Sequence, residues 1–176
     1  MSVILRKISR QIHLWGSLAI VIPVVIVIGS GLLLQIKKES EWIQPSTQQT
    51  EFLSPEIAFS DILAVVQKVP EAEVKSWDDI DRLDVRPGKG VIKILANNNW
   101  EVQINPHSGE VLQVAYRRSD TIEAIHDGSW FFDAAKLWLF LPVAIVLFFL
   151  WITGCVMLYT TLKSKYLKRK HRRIRH

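Results

Sequence analysis

The chain has 176 residues, of which 49% are hydrophobic, and it carries a formal charge of +5 and a single cysteine, Cys155. Residues 11–36 and residues 137–162 each form a stretch without Asp, Glu, Lys or Arg. A bilayer span needs about 20 apolar residues, so both stretches are long enough. This pattern excludes a soluble enzyme, a collagen and a disordered chain, and one cysteine excludes an intrachain disulfide. The sequence predicts a membrane protein with two transmembrane helices.

Charge is distributed unequally about these two spans. All 17 acidic residues lie within residues 37–136, whereas residues 1–10 and 163–176 contain basic residues and no acidic ones. The positive-inside rule therefore places both termini in the cytoplasm and residues 37–136 on the opposite side of the membrane. We expect the basic tail to contact anionic lipid and no nucleic acid, because no aromatic or Gly-rich platform accompanies it.

The first span is interpreted as a permanent anchor that follows a short cytoplasmic arm, residues 1–10. Its apolar run is longer than the 7–15 residues typical of a signal peptide, and no A-x-A cleavage site follows it. After the span, residues 37–53 are interpreted as a linker, because they contain the polar sequence QPSTQQT.

Residues 54–120 are predicted to form a small α+β domain, and residues 121–136 to form a segment that precedes the second span. Ser54 and Pro55 are typical of a helix start, and the apolar spacing that follows predicts a helix over residues 55–69, ended by Pro70. Alternating apolar residues separated by turn residues then predict an antiparallel sheet. Its expected strands cover residues 80–85, 91–95, 100–104 and 110–114.

Three segments carry a resemblance to a known family. The sequence VQINPHSGEVLQV at residues 102–114 resembles the strand–turn–strand signature of PepSY domains. The sequence RKISRQIHLWGSL at residues 6–18 resembles the first helix of the PepSY-associated transmembrane family, and residues 125–159, from IHDG to TGCVMLY, resemble its last helix. The chain resembles a minimal member of that family, with two spans where larger members have four.

The resemblance implies a redox role, because larger members resemble inner-membrane reductases of iron–siderophore complexes that hold b-type haem between helices. It makes His13 and His126 candidate haem ligands, with Gly16 and Asp127 as candidate supporting residues. His13 is the only ionisable residue in the first span, and intramembrane ionisable residues indicate function by default. One stripe of the helix gathers His13 with small and apolar residues: Gly16, Ser17, Ile20, Val24, Val27, Gly31 and Gln35.

Each of these candidates also has a simpler interpretation. His13 would serve as an interfacial anchor beside Trp15, and Asp127 and Gly128 would form a helix cap or a turn. His13 and His126 are expected at opposite ends of the membrane, so one chain cannot place both on one iron. A parallel homodimer would pair each histidine with its copy.

Two hypotheses for function follow. The first is a component of haem-linked transmembrane electron transfer, or of iron–siderophore reduction, that works as a homo-oligomer or accessory subunit. The second is a non-catalytic membrane anchor whose periplasmic domain binds a partner protein or peptide, for example along an open sheet edge. No catalytic residue and no metal site beyond the candidate haem ligands is predicted, because no hydrolase, zinc or nucleotide motif is present.

Overall fold

The computed structural model of the chain describes residues 3–51 and 55–174. It divides into two compact units, one formed by residues 1–29 with 125–176 and the other by residues 30–124. The described residues contain four α-helices: α1 Val3–Gln35, α2 Phe59–Val66, α3 Arg118–Asp127 and α4 Leu141–Ile174. One π-helical turn, Lys136–Phe140, leads directly into α4.

Two segments, Lys7–Gln35 in α1 and Lys136–Leu167 in and before α4, are long and apolar enough to cross a membrane. Only 11% and 17% of the residues in their most apolar windows are buried. The central helix of a soluble protein would be mostly buried, so these helices present their apolar side chains outward, as lipid-facing helices do. The two-span prediction is confirmed.

A four-stranded antiparallel sheet forms the centre of the second unit, with strands in the order β1-β2-β3-β4 along the chain and across the sheet. The strands closely follow the alternation read from the sequence. Their observed bounds are β1 Ile80–Arg86, β2 Val91–Ala96, β3 Trp100–Ile104 and β4 Val111–Tyr116.

One face of the sheet packs against α2 and forms the hydrophobic core. Ile62 and Val66 of α2 are buried, with Val66 fully inaccessible to solvent. Burying such an aliphatic side chain contributes about 1.5–3 kcal/mol of transfer free energy. The sheet residues buried in this core alternate along the inner strands, because alternate side chains of a strand point to the same face: Ile92, Ile94, Ala96, Val102 and Ile104.

Helix α2 is shorter than the sequence predicts, and the prediction of a helix over residues 55–69 is wrong at both ends. The backbone N–H groups of Glu56 and Ile57 donate to the carbonyl oxygen of Pro106, which holds this segment extended against a hairpin turn. The helix begins at Phe59 after Ala58, which provides no side-chain cap. Ser54, the predicted cap, lies outside the described residues. The helix ends at Val66, and Val69, the residue before Pro70, is extended, as expected for a residue that precedes proline.

Candidate functional site

Part of the stripe predicted on the first span, from His13 to Val24, lies on the face of α1 that contacts α4. Ile20 is buried against Val143 and Leu150, with Val24 and Val146 packed around them. A Cβ atom built on Gly16 would lie 3.0 Å from Leu150 Cδ2, closer than most side-chain contacts. Gly16 therefore allows the two helices to approach each other, which is the usual role of small residues at helix interfaces in membranes.

His13 lies at one end of this interface and contacts α4 through a hydroxyl group. Its Nδ1 atom lies 3.0 Å from Thr153 Oγ1. The same oxygen donates its hydrogen bond to the backbone carbonyl of Leu150, at 2.9 Å. Hydrogen bonding to a neighbouring helix is a common way to accommodate a polar side chain within a span.

Beside His13 the two helices form an open groove of about 440 Å³. Its walls are mainly apolar, and the lining side chains that carry a polar or sulfur atom are those of His13, Ser17, Trp151 and Cys155. Small-molecule sites are commonly 300–1,000 Å³, mostly apolar, with a few convergent polar groups. The complete lining is His13, Ser17, Leu147, Leu150, Trp151, Gly154, Cys155 and Leu158.

His126 lies far from this groove. Its Nδ1 atom is 3.1 Å from the carbonyl oxygen of Val27. Val27 follows His13 by 14 residues in one continuous helix, which at 1.5 Å per residue is about 21 Å along the axis. The structure therefore keeps the two candidate ligands apart, as the sequence indicates, and one iron cannot bind both within a single chain.

Asp127 takes part in a turn rather than in the histidine site. Its carboxylate accepts hydrogen bonds from the Lys136 ammonium group, at 2.6 Å, and from the N–H and hydroxyl of Ser129. The Lys136 bond, followed by the Ser129 bonds, lowers the pKa of the carboxyl from 3.8 to about 2. These contacts fit the simpler of the two interpretations, in which Asp127 fixes the turn before the second span.

Gly128 completes that turn. Its φ angle is +89°, and a Cβ atom there would overlap the ring of Phe140. Both features require glycine, because other L residues rarely adopt this conformation and no room exists for a side chain. The turn separates α3 from the π-helical turn, so α3 does not continue into the second span.

A metal ion or a haem in the groove would need donor atoms from the side chains around it. Within the described residues, no group of three or more His, Cys, Asp or Glu side chains could hold a metal ion. A b-type haem needs less from one chain, because a single imidazole nitrogen supplies one axial bond to iron. His13 beside an apolar groove fits that requirement for one axial position.

Comparison with known proteins decides the family. Residues 10–176 match the family described as PepSY-associated TM region. The chain belongs to the PepSY-associated TM family. No curated protein and no solved structure matches the chain. The family match extends over both spans and the domain between them, so it covers every candidate residue considered above.

Sequence reasoning missed one prominent feature of this PepSY-associated TM protein, a charged cluster buried on the second face of the sheet. Glu101, 1% exposed, accepts bonds from Lys93 Nζ and Arg117 Nη1, each at 2.9 Å, and from Gln103. Burial lowers the pKa of the Lys93 ammonium group, against the opposing effect of Glu101. The available signal was the polar residues within otherwise apolar strands, Lys93 in VIKIL and Glu101 and Gln103 in WEVQI.

The segment interpreted as a linker covers part of this cluster. Gln103 donates to the carbonyl oxygen of Ser46 at 2.8 Å and accepts from the N–H of Gln48 at 2.8 Å. Thr50 donates its backbone N–H to the carbonyl oxygen of Lys89 and its hydroxyl to the carbonyl oxygen of Gly90. Residues 46–50 thus form a strap across the sheet, and polar composition alone does not distinguish a strap from a free linker.

Thr153 is the second residue that sequence reasoning missed. It stands in the TGCVMLY segment, but a threonine in a transmembrane helix commonly bonds its own backbone and gives no further signal. Its partner is His13, 140 positions earlier in the chain. Only the packing of α1 against α4 reveals that pairing.

Proposed function

We propose that this protein is a haem-binding component of transmembrane electron transfer in the bacterial inner membrane, with His13 as the axial ligand. We assign the protein to iron–siderophore reduction, in which it would act as a homo-oligomer or as an accessory subunit. Bound haem b would supply one-electron chemistry. The chain itself would supply the imidazole, the apolar walls and the helix contacts that hold the imidazole in place.

The observation that carries this proposal is the environment of His13. One ring nitrogen, Nδ1, is bonded to Thr153, and the ring borders the groove between α1 and α4. An imidazole with one nitrogen held by a hydrogen bond and the other directed to an open site is the usual arrangement of a metal-binding histidine. A simple interfacial anchor requires neither the interhelical bond nor the groove.

A second copy of the chain would supply the second histidine that holds the haem. His126 is about 21 Å away along α1, so a single chain offers one histidine at this site. In a parallel dimer with twofold symmetry, a residue beside the axis meets its own copy, so a dimer with this end of α1 at the axis would bring His13 to His13 of the partner. The proposal therefore predicts a dimer with one haem for every two chains at this site.

The test is the absorption spectrum and haem content of the full-length protein, purified in detergent from cells supplied with haem. We expect a Soret band typical of a low-spin b-type haem and a ratio near one haem per two chains. Protein that stays colourless after haem supplementation would overturn the redox proposal. A stable high-spin haem on a monomeric chain would overturn the dimeric site.

The orientation is part of the proposal. With both termini in the cytoplasm, His13 lies near the cytoplasmic side, the sheet domain lies in the periplasm, and the basic residues after 162 meet anionic headgroups. An alkaline phosphatase fused after residue 176 should be inactive, whereas one fused within residues 97–99, a turn between β2 and β3, should be active. The reverse pattern would contradict this orientation.

A second candidate function rests on a different observation, the composition of the sheet edges. The β1 edge carries Asp81, Arg82, Asp84 and Arg86, and such charges discourage pairing with another strand. The opposite edge, β4, has the sequence VLQVAY and no charged residue. This edge suits a periplasmic partner that adds an extended peptide strand, with the spans acting as an anchor.

Site-specific photocross-linking in cells distinguishes the second candidate. A cross-linker at Val111, which is 40% exposed on β4, should capture a discrete partner, and one at Val85, 39% exposed on β1, should not. Equal cross-linking at both edges, or at neither, would remove the support for strand addition at β4.

A further inference from the structure

Thr153 Oγ1 takes part in two hydrogen bonds, and together they determine which nitrogen of His13 carries a proton. A threonine hydroxyl has one hydrogen to donate. That hydrogen goes to the Leu150 carbonyl oxygen, which accepts and cannot donate. With that hydrogen on the Leu150 carbonyl, the contact with His13 is an N–H of the imidazole donated to Thr153 Oγ1, which puts the proton on Nδ1.

We infer that Thr153 is a positioning residue that holds the neutral form of the His13 imidazole in its Nδ1–H tautomer, which leaves the lone pair on Nε2 for a ligand in the groove. This inference rests on the proposed function for its purpose, but the tautomer itself is a property of the haem-free chain. A haem iron binds the unprotonated nitrogen of an imidazole, so the tautomer decides which atom is available.

The opposite tautomer would cost a hydrogen bond. If Nε2 carried the proton, Nδ1 could only accept, and Thr153 would have to turn its hydrogen from Leu150 to His13. The ring borders a groove whose walls are mainly apolar, and an Nε2–H group left unpaired there would be costly. The observed arrangement satisfies both the hydroxyl and the Nδ1–H group, so it is the favoured one.

The chain contains a matched control for Thr153. Thr160 lies on the same helix, is 7% exposed, and donates its hydroxyl to the carbonyl of Met157 at 3.0 Å. This repeats the bond from Thr153 to Leu150, without a histidine as third member. Replacing Thr160 with valine removes the same kind of backbone bond from the same helix and leaves His13 untouched.

The first experiment measures the tautomer directly, in full-length, haem-free protein labelled with ¹⁵N-histidine. The ring nitrogen shifts of neutral imidazole separate protonated from unprotonated nitrogens, and the His13→Ala variant identifies the His13 signals. We expect the Nδ1–H form in the wild type and in Thr153→Ser and Thr160→Val, with the Nε2–H form gaining population in Thr153→Val. An Nε2–H wild type, or a Thr153→Val spectrum identical to the wild type, would overturn the inference.

The second experiment measures haem retention in the same variants. Loss of a hydrogen-bond partner behind a metal ligand typically weakens metal affinity 10–100-fold, so Thr153→Val should lose haem by about that factor, while Thr153→Ser and Thr160→Val should not. Equal loss in Thr153→Val and Thr160→Val would assign the effect to helix packing and overturn the positioning role. If no variant and no wild type binds haem, the proposed function fails while the tautomer result stands by itself.

Discussion

The two units of this protein differ in how completely the polar side chains in their interiors are hydrogen-bonded. In the sheet domain, the Glu101 carboxylate accepts bonds from three side chains, and Gln103 ties the same cluster to the strap. In the helical unit, His13 has one hydrogen bond, to Thr153, and borders an open groove. Of the buried side-chain atoms described, only Gln44 Oε1 lacks a partner.

This difference distinguishes the polar side chains that stabilise the sheet domain from His13, which we propose binds a ligand. A fully bonded buried cluster fixes strand register and the path of the strap, because each partner is costly to lose. A span tolerates an ionisable side chain only at a cost, and a partly bonded histidine keeps a nitrogen available for a ligand. The predictions below test that contrast, beginning with the largest expected effect.

Removing Glu101 should damage the domain severely. The Glu101→Ala variant leaves Lys93 and Arg117 with unbalanced buried charge, and breaking such a pair typically costs about 3–5 kcal/mol. The measurement is the free energy of unfolding in urea of a soluble fragment, residues 37–124. Exposed Glu110 provides the control, since Glu110→Ala should change stability by less than about 0.5 kcal/mol. Similar stabilities for the two variants would show that the cluster contributes little to the fold.

A substitution at Gly128 tests how far the stability of the helical unit depends on close packing. Gly128→Ala places a Cβ atom against Phe140 at a φ angle of +89°, which should cost roughly 1–3 kcal/mol. The thermal transition of the full-length protein in detergent should fall accordingly. Gly29→Ala is the control, because a Cβ atom there meets no other atom within 4 Å and alanine favours a helix. Equal transition temperatures for the two variants would contradict the description of this turn.

Asp127 should contribute the smallest effect. Its ion pair with Lys136 is largely exposed, so Asp127→Asn should cost about 0.2–1 kcal/mol near neutral pH. Because the folded pKa of about 2 lies below the ordinary value of 3.8, this contribution is present above pH 4 and disappears as the pH falls toward 2. The stability difference between wild type and variant should shrink across that window. A constant difference would mean that the carboxylate charge is not responsible.

The sequence predicts this molecule best where the pattern is local. The two spans follow from uninterrupted apolar stretches, and the strands follow from alternation between turn residues such as Asn99 and Gly109, which both adopt positive φ angles. The stripe through His13 and Gly16 also follows, because helical periodicity alone places its members on one face. These features need no knowledge of distant residues.

Features that depend on contacts between distant segments could not be predicted. The start of α2 at Phe59 depends on hydrogen bonds to Pro106, almost 50 residues later. The strap depends on Gln103, and the burial of Lys93 and Glu101 depends on the strap and on Arg117. The pairing of His13 with Thr153 depends on how two spans pack. Local propensity does not contain that information.

The central claim is that His13 ligates haem, and the most direct measurement is the visible absorption spectrum of the His13→Ala variant beside matched histidine variants. We expect His13→Ala to abolish the Soret band while membrane insertion is retained, because alanine is compatible with a transmembrane helix. His107→Ala, which alters a hairpin residue paired with Glu56 in the sheet domain, should keep the wild-type spectrum, and His126→Ala should keep the band at this site. A wild-type Soret band in His13→Ala would contradict the account.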